Sequence, residues 1–196
     1  MSDFFTDEQT EFIKRIIDDF KQGDVSSHNE PEHGPACPPS CSHDHSREHA
    51  IFERTNVEKF EAINILREKG NDKFNDNNFG AAAVSYRQAL MYIDYTFPET
   101  PDETDIFKSE NLKVLLNLAI CKERLNESAE AVKFCKRAIQ IDQKSAKAHY
   151  RLGLAQTALG LFDEAEESLK TAYSLEKDVA IEVALKRLSK LKKPEQ

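Results

Sequence analysis

The feature that most narrows what this sequence can fold into is a repeat. With units starting at Ile63, Leu112 and Ala146, the twentieth position is Ala82, Ala131 and Ala165, and the twenty-seventh is Ala89, Ala138 and Ala172. The eighth position is Gly70, Ala119 and Gly153, and the twenty-fourth is Tyr86, Cys135 and Leu169. The second and third units lie 34 residues apart, while the first and second lie 49 apart, one period plus a 15-residue insertion. Small residues recurring on a helical period let paired helices approach closely, and this period suits a helix-turn-helix unit that stacks into a solenoid.

The flanks fit that reading. Thr55 with Glu58 forms a capping-box pattern, and helical periodicity then runs almost unbroken to Leu191. Residues 178–193 place Ile181, Ala184, Leu185, Leu188 and Leu191 at helical spacing, as expected of a helix that caps the last exposed repeat face. The insertion, around residues 96–111, carries Pro98, Pro101 and several acids and is expected to be a loop joining two lengthened helices. Near the start, Thr6 with Gln9 precedes Phe12, Ile13, Ile16, Ile17 and Phe20 on one stripe. The expected organisation is all-α: an N-terminal amphipathic helix within 1–21, a flexible Cys/His-containing linker over 22–54, and over 55–193 three repeat units closed by a capping helix.

The repeat pattern resembles the tetratricopeptide-repeat (TPR) family from about Ile63 to Leu191. It departs from the family in lacking Trp at the fourth position, where the first unit has Leu66, and Pro at the thirty-second, where Asp94, Gln143 and Lys177 stand.

Charge and composition bound the function. Asp and Glu number 35 against 27 Lys and Arg, a formal net charge of -8, which argues against a general nucleic-acid binder because phosphate contacts need a basic face. No apolar run approaches the ~20 residues of a membrane span, and the start of the sequence is acidic where a signal peptide would be basic. A cytoplasmic protein with reduced thiols is expected. Cys121 and Cys135 fall at packing positions, while Cys37, Cys41, His43, His45 and His49 crowd the linker in a spacing that matches no standard zinc module. No metal or other cofactor is expected, with metal handling by that linker as an alternative. No Ser-His-Asp or Cys-His spacing suggests a nucleophile, so the protein is not expected to be an enzyme.

The polar residues that fit no packing role cluster in the repeat register. Arg67 and Asn71 lie at i, i+4 on the first helix of unit one, Asn117 on that of unit two, and Lys147 and Arg151 at i, i+4 on that of unit three. All five fall where this architecture faces its groove. Three cations and two amides in one concavity call for an anion with more than one carboxylate, and a free peptide terminus ending in Asp offers two on one residue.

The segments ILREKGNDKF, LLNLAICKERL and SAKAHYRLGLA are similar to the signature segments of carboxylate-clamp TPR domains, closest to the C-terminal TPR region of FK506-binding immunophilins. That resemblance implies binding of the C-terminal Glu-Glu-Val-Asp of Hsp90 or Hsp70, a co-chaperone or adaptor role, and clamp positions at Arg67, Asn71, Asn117, Lys147 and Arg151, with Arg67 replacing the usual Lys. Phe74 matches a position that touches an apolar group of the peptide and equally suits the core. Residues 1–54 contain no strand-rich segment, so the isomerase activity of those immunophilins is not expected here. The rival reading is a groove that receives the protein's own N-terminal helix or another protein, with self-association through that helix.

Overall fold

The computed structural model describes residues 46–192 and, separately, Glu11; apart from that residue, the helix expected within 1–21 lies outside the described residues, as do Cys37, Cys41, His43 and His45. Among the described residues there are eight helices and no strand: α1 (Ser46–Phe52), α2 (Asn56–Asn75), α3 (Phe79–Asp94), α4 (Pro101–Arg124), α5 (Ser128–Ile141), α6 (Ala146–Ala158), α7 (Phe162–Leu175) and α8 (Val179–Lys192). Helices α2 and α3, α4 and α5, and α6 and α7 form the repeat pairs, and α8 packs on α7. The first helices of successive pairs also touch each other, α2 on α4 and α4 on α6, so these three share one face of the stack.

The small repeat positions are where the paired helices meet. Ala82, Ala89, Ala131, Ala138, Ala165 and Ala172 are all fully buried. At the eighth position the fit is tighter: a Cβ added to Gly70 would lie 2.4 Å from the Tyr86 ring, and one added to Gly153 would lie 2.6 Å from Leu169 Cγ. Each glycine therefore faces the twenty-fourth residue of its own unit. In the second unit Ala119 takes the eighth position and the smaller Cys135 the twenty-fourth, both fully buried.

The turn inside each pair is built the same way three times. Asn77, Asn126 and Gly160 have φ of 58°, 60° and 76°, and each is the fifteenth residue of its unit. Asn and Gly tolerate this left-handed conformation better than other residues. The next residue's N–H reaches back to a carbonyl in the last helical turn, Asn78 to Lys73 at 2.9 Å, Glu127 to Lys122 at 2.8 Å and Leu161 to Gln156 at 3.0 Å, which closes each helix as a Schellman motif.

Three expectations change. The insertion is mostly helix: only residues 95–100 form the connection, and Pro101 starts α4, where its missing N–H would have had no helical partner. Thr100 caps this end through Glu103 N–H at 3.2 Å, and Asn56 Nδ2 ties the connection to α2 by donating to Phe97 O at 2.8 Å and Glu103 Oε2 at 2.9 Å. The expected linker gives up its final part to α1, whose Ile51 is fully buried and whose Phe52 carbonyl accepts from Lys59 Nζ at 3.1 Å. In α8, Ile181 and Leu188 are buried but Leu191 is half exposed, although the next residue, Lys192, still pairs with Asp163 and Glu166 of α7. The Thr55–Glu58 capping box is present in both directions.

The contrast between glycines is testable. Gly70→Ala should destabilise the protein by about 1–3 kcal/mol, since overpacking outweighs the helix-propensity gain. Gly80→Ala, where an added Cβ meets nothing within 4 Å, should stabilise it by about 0.5–1 kcal/mol. Urea denaturation of the two variants would show opposite shifts in midpoint; shifts of the same sign would contradict the packing described.

Candidate functional site

Helices α2, α4 and α6 carry the five expected donors, and a cleft of about 430 Å³ opens between them. Arg67 and Asn71 from α2, Lys113 and Asn117 from α4, and Ser145 and Lys147 at the start of α6 supply its polar lining, with Leu112 and Leu116 as its apolar part. Four of the five expected donors thus surround one space. Arg151 and Phe74 are not among its walls. Phe74 is partly buried against the core, edge-on to Phe79 with ring centres 5.1 Å apart. Arg151 lies over the Tyr150 ring and donates to Glu123 Oε2 at 3.2 Å.

The close approach at Gly70 reaches directly into this site. Tyr86, lying against Gly70, donates its hydroxyl to Asn71 Oδ1 at 2.7 Å. Burial above all pushes the Tyr86 phenol up to about 12, so it remains a donor at neutral pH. Asn117 Nδ2 donates to the same oxygen at 3.2 Å. With Oδ1 held by two donors, the Asn71 amide is oriented so that Nδ2 is its free face, and in the free protein that nitrogen donates to Glu68 Oε2 at 3.0 Å.

The protein's own carboxylates cover most of the cations. Glu68 also pairs with Arg67 NH1 at 2.7 Å. Glu110 bridges two helices: its Oε2 accepts from Arg67 Nε at 2.9 Å and its Oε1 from Lys113 Nζ at 2.7 Å. Burial raises the Glu110 carboxyl, but hydrogen bonds and charge from Lys113 and Arg67 outweigh it and hold the group below its ordinary value. At Glu123 the balance is reversed: burial dominates and raises its carboxyl despite Arg151. Glu123 Oε1 and Arg151 Nε are both buried without a hydrogen-bond partner among the described residues. Lys147 is exposed and makes no ion pair among the described residues.

Four of the five residues expected from the sequence line this cleft; Lys113 and these three acids are not among those expected. A signal for Lys113 was present, since it holds the same second position of its unit as Lys147. His149, between the two cations of α6 in sequence, turns away, with Nε2 3.1 Å from Gln143 O. Cys121 and Cys135 are fully buried, and burial, the largest influence on each, pushes their thiols up to about 11 and about 12, so they act as small core hydrophobes. Among the described residues no group of three or more His, Cys, Asp and Glu is placed to hold a metal, and no helix is long and apolar enough to cross a membrane.

Glu110 makes a pH prediction. A carboxyl held below its unfolded value adds stability above that value and loses it as pH falls through the folded one. Glu110→Gln should therefore cost about 1–3 kcal/mol at pH 7, and the gap to the parent should close as pH drops below ~4.3. Urea titrations at pH 7 and pH 3.5 measure both; a gap independent of pH would show that the Glu110 charge does not stabilise the fold.

Comparison with known proteins agrees with this architecture. A family model described as tetratricopeptide repeat matches residues 126–186. Peptidyl-prolyl cis-trans isomerase FKBP4 of Mus musculus is 27% identical over 124 residues, 63% of this chain and 27% of that protein, so the chain spans about a quarter of the curated relatives it matches. Among solved structures, the second TPR of Spaghetti (RPAP3), bound to the Hsp90 peptide SRMEEVD, superposes with TM-score 0.51 at 25% identity, covering 62% of this chain and 97% of that one. The C-terminal TPR-containing domain of a Plasmodium falciparum protein named as FK506-binding superposes with TM-score 0.67 at 30% identity, covering 72% of this chain and 96% of that domain. With its three helix pairs, recurring small-residue positions and this extent of similarity, the chain belongs to the tetratricopeptide-repeat family and is similar to the C-terminal TPR region of FK506-binding proteins.

Proposed function

We propose that residues 55–193 form a noncatalytic binding module whose cleft takes the free C-terminus of an acidic peptide, of the Glu-Glu-Val-Asp type found on Hsp90 and Hsp70, and that the protein is a cytoplasmic co-chaperone or adaptor. The observation that carries this is the donor set around one cleft: Arg67, Asn71, Asn117 and Lys147, brought together from three helices beside an apolar surface of Leu112 and Leu116. Lys147, unpaired among the described residues, is the cation most ready to take a terminal carboxylate. The Asn71 amide, fixed by Tyr86, presents N–H to a carboxylate or a peptide carbonyl once Glu68 yields. Glu68 is more than half exposed, so its displacement strands no charge in a dry interior. An aliphatic side chain near the peptide terminus fits against Leu112 and Leu116.

Arg151 is engaged by Glu123 in the free protein, so its direct part in binding requires that carboxylate to give up its partner. The relative seated on SRMEEVD supports the ligand class. Charge-assisted bonds of about 1.5–3 kcal/mol each, set against the ordering of a flexible peptide, lead to an affinity of roughly micromolar order.

Calorimetric titration of Met-Glu-Glu-Val-Asp as free acid and as C-terminal amide tests the reading. The amide should bind at least about tenfold more weakly, the loss of one charge-assisted contact. Lys147→Ala should weaken the free acid by a similar factor and compress the difference between the two peptides. Equal affinities for both peptides, or no binding by either, would refute it.

A further inference from the structure

The cleft holds a cation outside the five-residue donor set. Lys113 lines it one turn before Asn117 on α4, and half of its side chain is exposed, 51%. Counted from Leu112 and Ala146, Lys113 and Lys147 share the second position of their units, and Asn117 and Arg151 share the sixth. Helix α4 therefore presents to the cleft the same i, i+4 arrangement that α6 carries.

In the free protein Lys113 is held by Glu110, and the two bonds of that carboxylate are unequal. The contact with Lys113 is an i, i+3 pair on one helix with the lysine at the surface; such exposed pairs are weak. The contact with Arg67 joins two helices, and both side chains are close to buried, 15% and 14% exposed. Breaking it would leave two poorly solvated charges, so a competing anion would release Lys113 and leave Arg67 on Glu110. Glu110 thereby shows what Lys113, a second lysine lining the cleft, is positioned to hold: a carboxylate.

We propose that Lys113 is a specificity-determining residue that binds an acidic side chain of the peptide upstream of its terminal residue, with Glu110 as the internal carboxylate it exchanges. The ligand class is then an acidic C-terminal peptide with a second acid at a fixed distance from its end. This rests on the C-terminal peptide reading above.

A double-mutant cycle tests it on the 196-residue chain. The parent protein and Lys113→Met are each titrated with Met-Glu-Glu-Val-Asp and with the two peptides in which one internal Glu is Gln, after urea denaturation has shown equal stability. The parent protein should lose about three- to fivefold in affinity at one of the two Gln peptides. Lys113→Met should bind the unmodified peptide more weakly by a similar factor and lose nothing further at that same Gln peptide. Glu110→Gln, which loosens Lys113, should bind the unmodified peptide more tightly. A Lys113→Met protein that still discriminates Glu from Gln as the parent does, or a Glu110→Gln protein that binds no more tightly, overturns the assignment. The amidated peptide separates the two levels: if amidation does not weaken the parent protein, the C-terminal reading has failed, whereas selective binding without Lys113 coupling removes the subsite alone.

Discussion

The structure depends on how closely the two helices of a repeat can approach, and that is decided where an absent side chain on one helix meets a large one on the other. Gly70 beneath Tyr86 and Gly153 beneath Leu169 leave no room for a Cβ. The second unit reaches the same end with Ala119 opposite the smaller Cys135, both fully buried. The Gly70 contact also reaches beyond packing. It lays Tyr86 where its hydroxyl meets Asn71, and so orients an amide of the groove. The first repeat builds part of the site from its packing, and a change at Gly70 would disturb both.

Around that oriented amide, the groove is largely neutralised by the protein itself. Arg67 is shared by Glu68 and Glu110, Lys113 leans on Glu110, and Arg151 is held by Glu123. Internal acids of this kind prevent cations on adjoining helices from repelling one another when nothing is bound. Under the proposed function they would make binding an exchange of carboxylates in place of a capture by free charge. Affinity then follows from how firmly each internal acid is held. Glu68, exposed and adjacent in sequence to Arg67, yields most easily, while Glu110 holds Arg67 across two helices more firmly than it holds Lys113 at the surface.

How much of this is legible in the sequence follows from the range of each interaction. The repeat period, the buried alanines and the Thr55–Glu58 box are local or strictly periodic, and the sequence shows them directly. The left-handed residues Asn77, Asn126 and Gly160 share one repeat position but not one residue type, which masks the regularity. The insertion reads as a loop because Pro101 disrupts a helix interior yet starts a helix well, and only the cap at Thr100 distinguishes the cases. Four of the five expected residues meet at one cleft because the repeat register assigns each a helix face. Glu110 and Glu123 cannot, because they resemble any surface acid until Arg67 and Arg151, 43 and 28 residues away, come beside them.

The i, i+4 pair Lys147 and Arg151 shows why register alone underdetermines a site. In sequence they are two equivalent cations on one helical face, and a single carboxylate between them would resolve their repulsion. In the fold they are not equivalent: Arg151, deeper along α6, meets Glu123 from α4, while Lys147, in the first turn, stands at the cleft with no acid paired to it among the described residues. Arg is the more weakly hydrated cation and forks onto a partner, which suits the half-buried position, and Lys, a strongly hydrated point charge on a flexible stem, suits the open one. Exchanging the two residue types would leave charge and spacing unchanged while placing the costlier desolvation inside. Their order along the helix is therefore part of how the proposed site is built, with the internal carboxylate at Arg151 and the unpaired cation at Lys147.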